Sequence, residues 1–274
     1  MELDFIFREI FPGCLYTIDI HQAISARCIV YMEHDLDVNI AKYIIANGKN
    51  LVIYHLGDER GDKTTDAYQF AQAILRNYYH KQIFEREDYQ SKTFWMPNGY
   101  RNGIGRGPHS AVKPASQRKQ LARFIGWLNN TESINGERQA FKHVAQNIPT
   151  LLDCVSMPGF GGNFSPHLYA ALMEESVFAP CPAGNAKETI RLFDVLETGC
   201  IPITLRHEFL QDTRMLAPCP YVFLDSWDQL QEFMLKHTLP DSKLHFEANQ
   251  IKVINHWRLI IANAFNCAVR SVLL

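Results

Sequence analysis

The sequence predicts an α/β protein with two Rossmann-like lobes and a C-terminal helix. Short apolar runs alternate with longer amphipathic segments along most of the 274 residues, which is the pattern of βαβ units around parallel sheets. A polar stretch rich in glycine and proline interrupts the alternation at 99–117, after which the pattern restarts. We therefore place the two lobes at 1–117 and 118–274.

The first lobe contains apolar runs that are typical of buried strands, at 26–32, 50–56 and 92–97. Between them, the segments 35–48 and 64–79 carry apolar residues at helical spacing. The alternation of these elements predicts a parallel sheet with helices packed on it.

The second lobe repeats the pattern with more elements. Its expected strands are 122–128, 176–182, 200–205 and 221–226. Its expected helices are 136–148, 167–175, 186–199 and the terminal segment 256–274. A glycine-rich loop at 158–163 lacks the ending of a P-loop.

Composition excludes several classes of protein. With 27 basic and 29 acidic side chains the chain is nearly neutral, so we expect no nucleic-acid partner. No segment reaches the ~20 apolar residues of a membrane span, and the charged start 1–13 does not resemble a signal peptide. Seven scattered cysteines without a CxxC indicate reduced thiols and a cytoplasmic protein.

The stretch 176–205 is the most informative part of the chain. It combines a buried strand, a tight turn at 183–185, a helix and a second strand. In a doubly wound sheet, ligands bind beyond the carboxyl ends of the strands, and a following helix directs free N–H groups at an anion. Gly184 and Asn185 therefore become candidate binding residues, although an ordinary strand–helix turn has the same appearance.

The helix predicted after this turn carries charged residues at helical spacing. Lys187, Arg191 and Asp194 fall on a single face if the helix spans 186–199. The two cations could neutralise a diphosphate, and Asp194 could accept hydrogen bonds from ribose hydroxyls. The alternative is a solvent-facing row of charges without a ligand.

The same run resembles the signature of exostosin-type glycosyltransferases, glycosyltransferase family 47. The matching residues are Pro182, Gly184, Thr189, Arg191, Leu192, Asp194, Gly199, Cys200, Ile201 and Pro202. A weaker match at 124–138 is similar to the opening strand of the same lobe, with Arg138 in the place of a basic residue. In the first lobe the similarity is loose.

This resemblance implies a GT-B fold in which two lobes face a cleft, with the acceptor on the first lobe and a UDP-sugar on the second. It implies inversion at the anomeric carbon, no cofactor, no obligatory metal, and a saccharide or glycan as acceptor. Similarity to the xylosyl-transferring branch makes xylose the first expectation for the sugar. The donor-binding residues would be Gly184, Asn185, Lys187, Thr189, Arg191, Asp194 and Arg138, with Asp194 on the ribose.

An inverting transfer needs a base that takes the proton of the acceptor hydroxyl. Asp58 and Glu59 end the apolar run 50–56 and open a polar loop, which makes them the candidates, with His55 after them. A solvated turn is the alternative for these acidic residues.

Other polar residues admit two interpretations. Arg101 and Arg106 could close over a diphosphate or lie as solvated loop charges. Asp35 and Asp37 form a D-x-D sequence that could bind a metal, but Asp35 also suits a helix N-cap. The loop 158–163, with Phe160, could cover the donor or simply connect two elements.

The sequence leaves two alternatives to sugar transfer. A non-catalytic protein that binds a nucleotide sugar or a glycan would keep the donor lobe and lack the base. A nicotinamide-dependent oxidoreductase is disfavoured because no GxGxxG opens either lobe.

Overall fold

The computed structural model describes residues 3–106, 111–159, 164–211, 218–238 and 242–273. Contacts divide the described chain into two compact units. The first unit contains Leu3–Asn98 and 261–273, and the second contains Gly99–Ile260.

The first unit is built on a four-stranded parallel sheet. Its strands lie side by side in the order of the chain: β1 (Cys28–Glu33), β2 (Asn50–His55), β3 (Ala73–Arg76) and β4 (Thr93–Trp95). Because all four run in one direction, their carboxyl ends share one edge of the sheet. The segments after these ends therefore lie together.

Short helices accompany this sheet. They are α1 (Leu3–Phe5), α2 (Ile20–Ala23), α3 (Val38–Ala46) and α4 (Lys81–Phe84), with a π-helix at Ile6–Ile10 and a 3-10 helix at Asp66–Phe70. The helix α3 begins after Asp37, whose carboxylate accepts a hydrogen bond from the Asn39 N–H at 2.7 Å. Asp37, not Asp35, is therefore the N-cap.

The helix expected at 64–79 is wrong. This segment forms the short 3-10 helix and then the strand β3. Ala73, Ile74 and Leu75 are each 0% exposed, as in a parallel strand covered on both faces. A short apolar run of this kind has the same periodicity in a buried helix and in a buried strand.

The second unit contains a five-stranded sheet whose described strand pairs are all parallel. Its strands are β5 (Gln120–Gly126), β6 (Leu152–Ser156), β7 (Ser176–Pro180), β8 (Ile201–Leu205) and β9 (Val222–Leu224). Their order across the sheet is β6-β5-β7-β8-β9. The sequence analysis missed β6, because this edge strand is mostly half-buried and Asp153 and Ser156 break its apolar run.

The larger helices of the second unit follow its strands. They are α5 (Glu137–Asn147), α6 (Pro166–Glu174), α7 (Ile190–Glu197), α8 (Leu230–Lys236) and α9 (Ser242–Leu273), the last of which continues into the first unit. None of the described helices combines the length and the apolar character that a membrane span requires.

The helix α7 begins later than expected. Thr189 is its N-cap, with an extended backbone, so Lys187 precedes the helix. The Gly184 N–H donates to the Ala186 carbonyl at 3.2 Å, and the Thr189 N–H donates to the Lys187 carbonyl at 3.0 Å. These turns occupy the segment that was expected to form the first helical turn, and Lys187 does not share a helix face with Arg191.

The chain passes from the first unit to the second at residues 98–99, earlier than the expected 117. The segment after Asn98 belongs to the second unit because its side chains bond there. The Arg118 guanidinium, for example, donates to the Ser176 carbonyl at 2.7 Å and to the Thr198 carbonyl at 2.9 Å. The end of α9 belongs to the first unit, where Gln72 donates to the Ser271 carbonyl at 2.7 Å.

Candidate functional site

The sheet of the second unit has a topological switch point between β5 and β7. From β5 the chain moves outward to β6, then returns to the other side of β5 at β7 and continues to β8 and β9. In open parallel sheets, ligands bind beyond the carboxyl ends of the two strands at such a point. Those ends are Gly126 in β5 and Pro180 in β7, so the turn at 183–185 follows the second of them.

Arg138 joins the two segments that follow these strands. It is the second residue of α5, and it donates to the Trp127 carbonyl at 2.6 Å and to the Ala183 carbonyl at 3.1 Å. The residue is buried. Burial, together with the nearby charge of Arg191, lowers the pKa of Arg138 to about 9. The positive charge of Arg191 therefore destabilises the charged form of Arg138.

Arg191 reaches the same place from the other side. It is the second residue of α7, its Nη1 donates to the Ile125 carbonyl, and its guanidinium lies 4.2 Å from the centre of the Phe124 ring. Its Nε is buried and has no hydrogen-bond partner among the described residues. A Cβ at Gly126 would lie 1.8 Å from its Nη2, so this glycine makes room for the guanidinium.

Neither guanidinium forms an ion pair within the described part of the chain. Glu137 lies beside Arg138 in sequence, but its carboxylate is committed elsewhere. One oxygen accepts from the Ala183 N–H at 2.9 Å and from Trp227 Nε1 at 3.3 Å, and the other lies 3.3 Å from His207 Nε2. The switch point thus holds two buried cations whose hydrogen bonds go to carbonyl oxygens.

Gly184 lies beside the Arg138 guanidinium, and Asn185 follows it in the same turn. A Cβ at Gly184 would lie 3.1 Å from Arg138 Nη2, so a larger residue would crowd the guanidinium. Asn185 is exposed, and its Oδ1 accepts a hydrogen bond from Asn130 Nδ2 at 3.0 Å. The structure therefore brings four of the predicted donor residues together: Gly184, Asn185, Arg138 and Arg191. Lys187 is exposed outside the helix, and Thr189 is the buried N-cap of α7.

Asp194 does not have the environment expected of a ribose ligand. It is 0% exposed, and both of its carboxylate oxygens accept hydrogen bonds from Arg101, at 2.9 Å from the backbone N–H and at 2.7 Å from Nε. Burial by itself would lower the pKa of Arg101, but the Asp194 carboxylate raises it. The pair anchors the start of the second unit, so this expectation is corrected for both residues.

Arg106 is anchored in the same way. Its backbone N–H donates to Glu197 at 2.7 Å, and its guanidinium forms an ion pair with Glu174. It was expected to close over a diphosphate or to lie as a solvated loop charge. These contacts instead tie residue 106 to α6 and α7.

In the first unit, amide side chains bridge the ends of three strands. The Gly57 N–H, after β2, donates to Asn77 Oδ1 at 2.9 Å. Asn77, after β3, donates from Nδ2 to Asn98 Oδ1 at 2.6 Å, and Asn98 follows β4. This chain of bonds holds the beginnings of the three loops at fixed positions.

Asp58 is buried in an ion pair rather than exposed as a base. It is 1% exposed, and its Oδ2 lies 2.6 Å from Nη2 of Arg76, which is 0% exposed. Burial by itself would raise the pKa of Asp58, but Arg76 lowers it below the usual value. A carboxylate in this state is a weak proton acceptor, so the expectation for Asp58 is corrected.

His55, the third base candidate, completes the same buried cluster. Its Nδ1 lies 2.7 Å from the Tyr68 hydroxyl and 3.0 Å from Arg76 Nη1. Burial and then the Arg76 charge lower its pKa to about 4. His55 is therefore a neutral structural residue.

Glu59 carries the more accessible carboxylate of the two adjacent acidic residues, Asp58 and Glu59. It is half-buried, and its Oε1 accepts a hydrogen bond from the Tyr78 hydroxyl at 3.1 Å. Of the two candidates for a general base, Glu59 is the one whose side chain the fold leaves partly exposed.

The D-x-D sequence is not arranged as a metal site. Asp35 pairs with Lys63 at 2.8 Å and with His34 at 3.0 Å, and Asp37 caps α3. In the described ranges no three His, Cys, Asp or Glu residues are grouped as metal ligands. The part of the glycine-rich loop at 160–163, with Phe160, lies outside the described residues.

Sequence reasoning missed Gly126 and Glu137. The signal for Gly126 was present, because a glycine ends the first strand of the second lobe, where a doubly wound sheet places its ligand. Glu137 had no such signal. Its partners Ala183, Trp227 and His207 are far from it in the chain.

Comparison with solved structures identifies the architecture. An α,α-trehalose-phosphate synthase (UDP-forming) from Burkholderia vietnamiensis is similar with a TM-score of 0.53 and 10% identity, over 88% of this chain and 71% of that chain. The UDP-forming α,α-trehalose-phosphate synthase from Burkholderia xenovorans gives 0.53 and 11%, over 89% and 74%. The fold is of the GT-B type, as predicted. At this identity the likeness shows the fold alone. No protein-family model matches the sequence, and no curated protein matches it.

Proposed function

We propose that this protein is a glycosyltransferase that moves a sugar from a UDP-sugar to a hydroxyl group of a saccharide acceptor. The observation that carries the proposal is the pair of buried guanidinium groups, Arg138 and Arg191, at the switch point of the second sheet. Their guanidinium groups donate hydrogen bonds to the carbonyl oxygens of Trp127, Ala183 and Ile125.

A diphosphate fits this arrangement by charge and by geometry. Burial, and then the nearby charge of Arg191, lower the pKa of Arg138, and a bound dianion would offset both the burial of these charges and their repulsion. Guanidinium groups form strong paired hydrogen bonds with phosphate oxygens. Both arginines lie in the first turn of a helix, where free N–H groups and the helix dipole favour an anion.

Two likenesses support a sugar donor on that diphosphate. Two of the structures similar to this chain are synthases described as UDP-forming. The run 182–202 resembles the exostosin-type signature, in which Gly184 and Arg191 are matched residues. Asp194 matches as well but pairs with Arg101, so we do not assign it to the ribose. Xylose remains the first candidate sugar, from the resemblance alone.

The proposed reaction is a single displacement with inversion. Glu59 takes the proton of the acceptor hydroxyl while that oxygen forms a bond to the anomeric carbon. The bond from the anomeric carbon to the diphosphate breaks, and its electron pair leaves with UDP. Arg138 and Arg191 stabilise the negative charge that develops on the leaving group, so no metal is required.

One observation favours a second candidate, a non-catalytic protein that binds a nucleotide sugar or a glycan. Asp58, one of the two carboxylates expected to act as base, is held by Arg76. If Glu59 is not the base, the donor site would remain without turnover.

UDP release from a panel of UDP-sugars, with mixed saccharide acceptors and with EDTA, tests the proposal. We expect release with one sugar, UDP-xylose first, that persists in EDTA. Glu59→Gln should lower kcat by about 100-fold or more, the usual effect of losing a general base. Glu59→Asp is the matched variant that keeps a carboxylate.

Three other results would each contradict a part of the proposal. UDP binding without release from any sugar would support the non-catalytic candidate. Release that stops in EDTA would contradict metal independence. Full activity in Glu59→Gln would remove Glu59 as the base.

A further inference from the structure

Tyr78 is held in an uncommon backbone conformation at the edge of the first sheet. Its φ is 56°, in the left-handed region, where a bulky residue other than glycine is strained. It follows the end of β3 directly after Asn77. Strain of this kind persists only where the surrounding structure imposes it, and it is common at functional sites.

The Tyr78 side chain contacts Glu59. The tyrosine hydroxyl donates to Glu59 Oε1 at 3.1 Å, and both side chains are half-buried. An accessible carboxylate of this length has several rotamers, so a fixed donor selects among them.

Tyr78 and Glu59 each follow a residue that is fixed by other contacts. Asn77, before Tyr78, is fixed by the Gly57 N–H and by Asn98. Asp58, before Glu59, is fixed by the buried Arg76. The Tyr78–Glu59 contact is thus set by two rigid attachments on neighbouring strands, and not by the two side chains alone.

We propose that Tyr78 is a positioning residue, whose hydroxyl holds the Glu59 carboxylate in the orientation in which it takes the acceptor's proton. The inference rests on the proposed function, because it takes Glu59 as the base. It explains why a tyrosine occupies a position where glycine or asparagine would be less strained.

The kinetics of Tyr78→Phe, Glu59→Gln and the double variant test this role of Tyr78. Tyr78→Phe removes the hydroxyl and should lower kcat by about tenfold, the scale of one hydrogen bond to a charged group, with the donor KM unchanged. In a Glu59→Gln background the same change should have no further effect, because Tyr78 acts through Glu59. An equal loss in both backgrounds would overturn the proposal.

Tyr78→Gly separates positioning from folding. Glycine adopts positive φ without strain, and this relief opposes the loss of the half-buried ring, so this variant should fold and melt within about 4 °C of the wild type. It should nevertheless lose as much kcat as Tyr78→Phe. A folded variant with full kcat would overturn the proposal.

A measurement independent of turnover keeps this inference distinct from the proposed function. With ¹³C-labelled glutamate, the Glu59 carboxyl resonance is assigned by its loss in Glu59→Gln. It should shift in Tyr78→Phe and stay in place in Tyr43→Phe, which removes an exposed tyrosine hydroxyl of α3. An unchanged resonance in Tyr78→Phe would overturn the positioning role even if UDP is released. A shifted resonance without any UDP release would instead count against the proposed function.

Discussion

Asp58 and Glu59 are adjacent carboxylates with opposite environments. Asp58 is 1% exposed and bonds to the buried guanidinium of Arg76, whereas Glu59 is half-buried and accepts from a tyrosine hydroxyl. The Asp58 carboxylate is held in a buried ion pair, and the Glu59 side chain remains partly exposed. Environment, not residue type, distinguishes the two.

The Asp58–Arg76 pair predicts a large loss of stability when one partner is removed. Asp58→Ala leaves a charged guanidinium buried without its carboxylate and should lower the free energy of unfolding by about 3–5 kcal/mol. Urea unfolding measures this loss. Glu59→Gln, at the neighbouring position, should change stability by less than about 0.5 kcal/mol.

The double variant Asp58→Ala/Arg76→Met supplies the control. It removes the unpaired charge together with its partner and should be more stable than Asp58→Ala alone. If the double variant were the less stable of the two, the ion pair would not be the source of the effect.

At the scale of elements, the candidate donor site depends on where strands end and helices begin. Arg138 and Arg191 both occupy the second position of a helix, α5 and α7, and these helices follow on from β5 and β7 in the chain. Gly126 ends β5 and leaves room for Arg191. The site is therefore a property of two strand-to-helix connections and not of one motif.

Gly126 is predicted to control binding of UDP although it has no side chain. In Gly126→Ala the new methyl group would occupy the position of Arg191 Nη2, and the guanidinium must move away. The loss of one charge-assisted contact to a phosphate should weaken UDP binding by about tenfold. Isothermal titration calorimetry with UDP measures this change.

Arg191→Met tests the cause. It should weaken UDP binding by a similar factor, and Gly126→Ala should add little to it, because the crowded group is already gone. Wild-type affinity in Gly126→Ala would show that Arg191 does not contact the nucleotide.

On the scale of the whole molecule, each unit contains a buried neutral histidine. His55 lies in the first unit and His256 in the second, and burial lowers the pKa of each to about 4. In the unfolded chain both titrate near the ordinary value of 6.5. Between these two values the unfolded state binds protons that the folded state does not.

We therefore predict that acid destabilises the protein between pH 6.5 and pH 4. Above pH 6.5 both histidines are neutral in the folded and in the unfolded chain, and the free energy of unfolding is unaffected by them. As the pH falls from 6.5 toward 4, the free energy of unfolding decreases by about 3 kcal/mol for each residue. The free energy of unfolding in urea, measured across this range, should show the decline.

His256→Phe gives a matched test of that slope. The His256 ring packs edge-on against Tyr221, and its Nε2 has no hydrogen-bond partner among the described residues, so phenylalanine preserves the packing and removes the titration. The decline should become shallower in this variant and stay unchanged in His21→Gln, an exposed position. An identical decline in His256→Phe would contradict the assignment.

The sequence by itself determined the features that depend on local pattern. Alternating apolar runs predicted two parallel α/β units, and the run 176–205 predicted a strand, turn and helix at a ligand-binding edge. Periodicity is a property of a short window of sequence, so it predicts helices and strands without knowledge of the fold. It failed at 64–79 and at β6, where a fully buried strand and a half-buried edge strand lack a distinctive period.

Only the tertiary structure decided what each charged residue does. Asp58 meets Arg76 across 18 residues, and Asp194 meets Arg101 across 93, so no local pattern could assign these carboxylates to ion pairs. Arg138 and Arg191 come together only because β5 and β7 are neighbours in the sheet. The effect of a charge depends on its burial and on its partners in space, and the folded chain alone sets both.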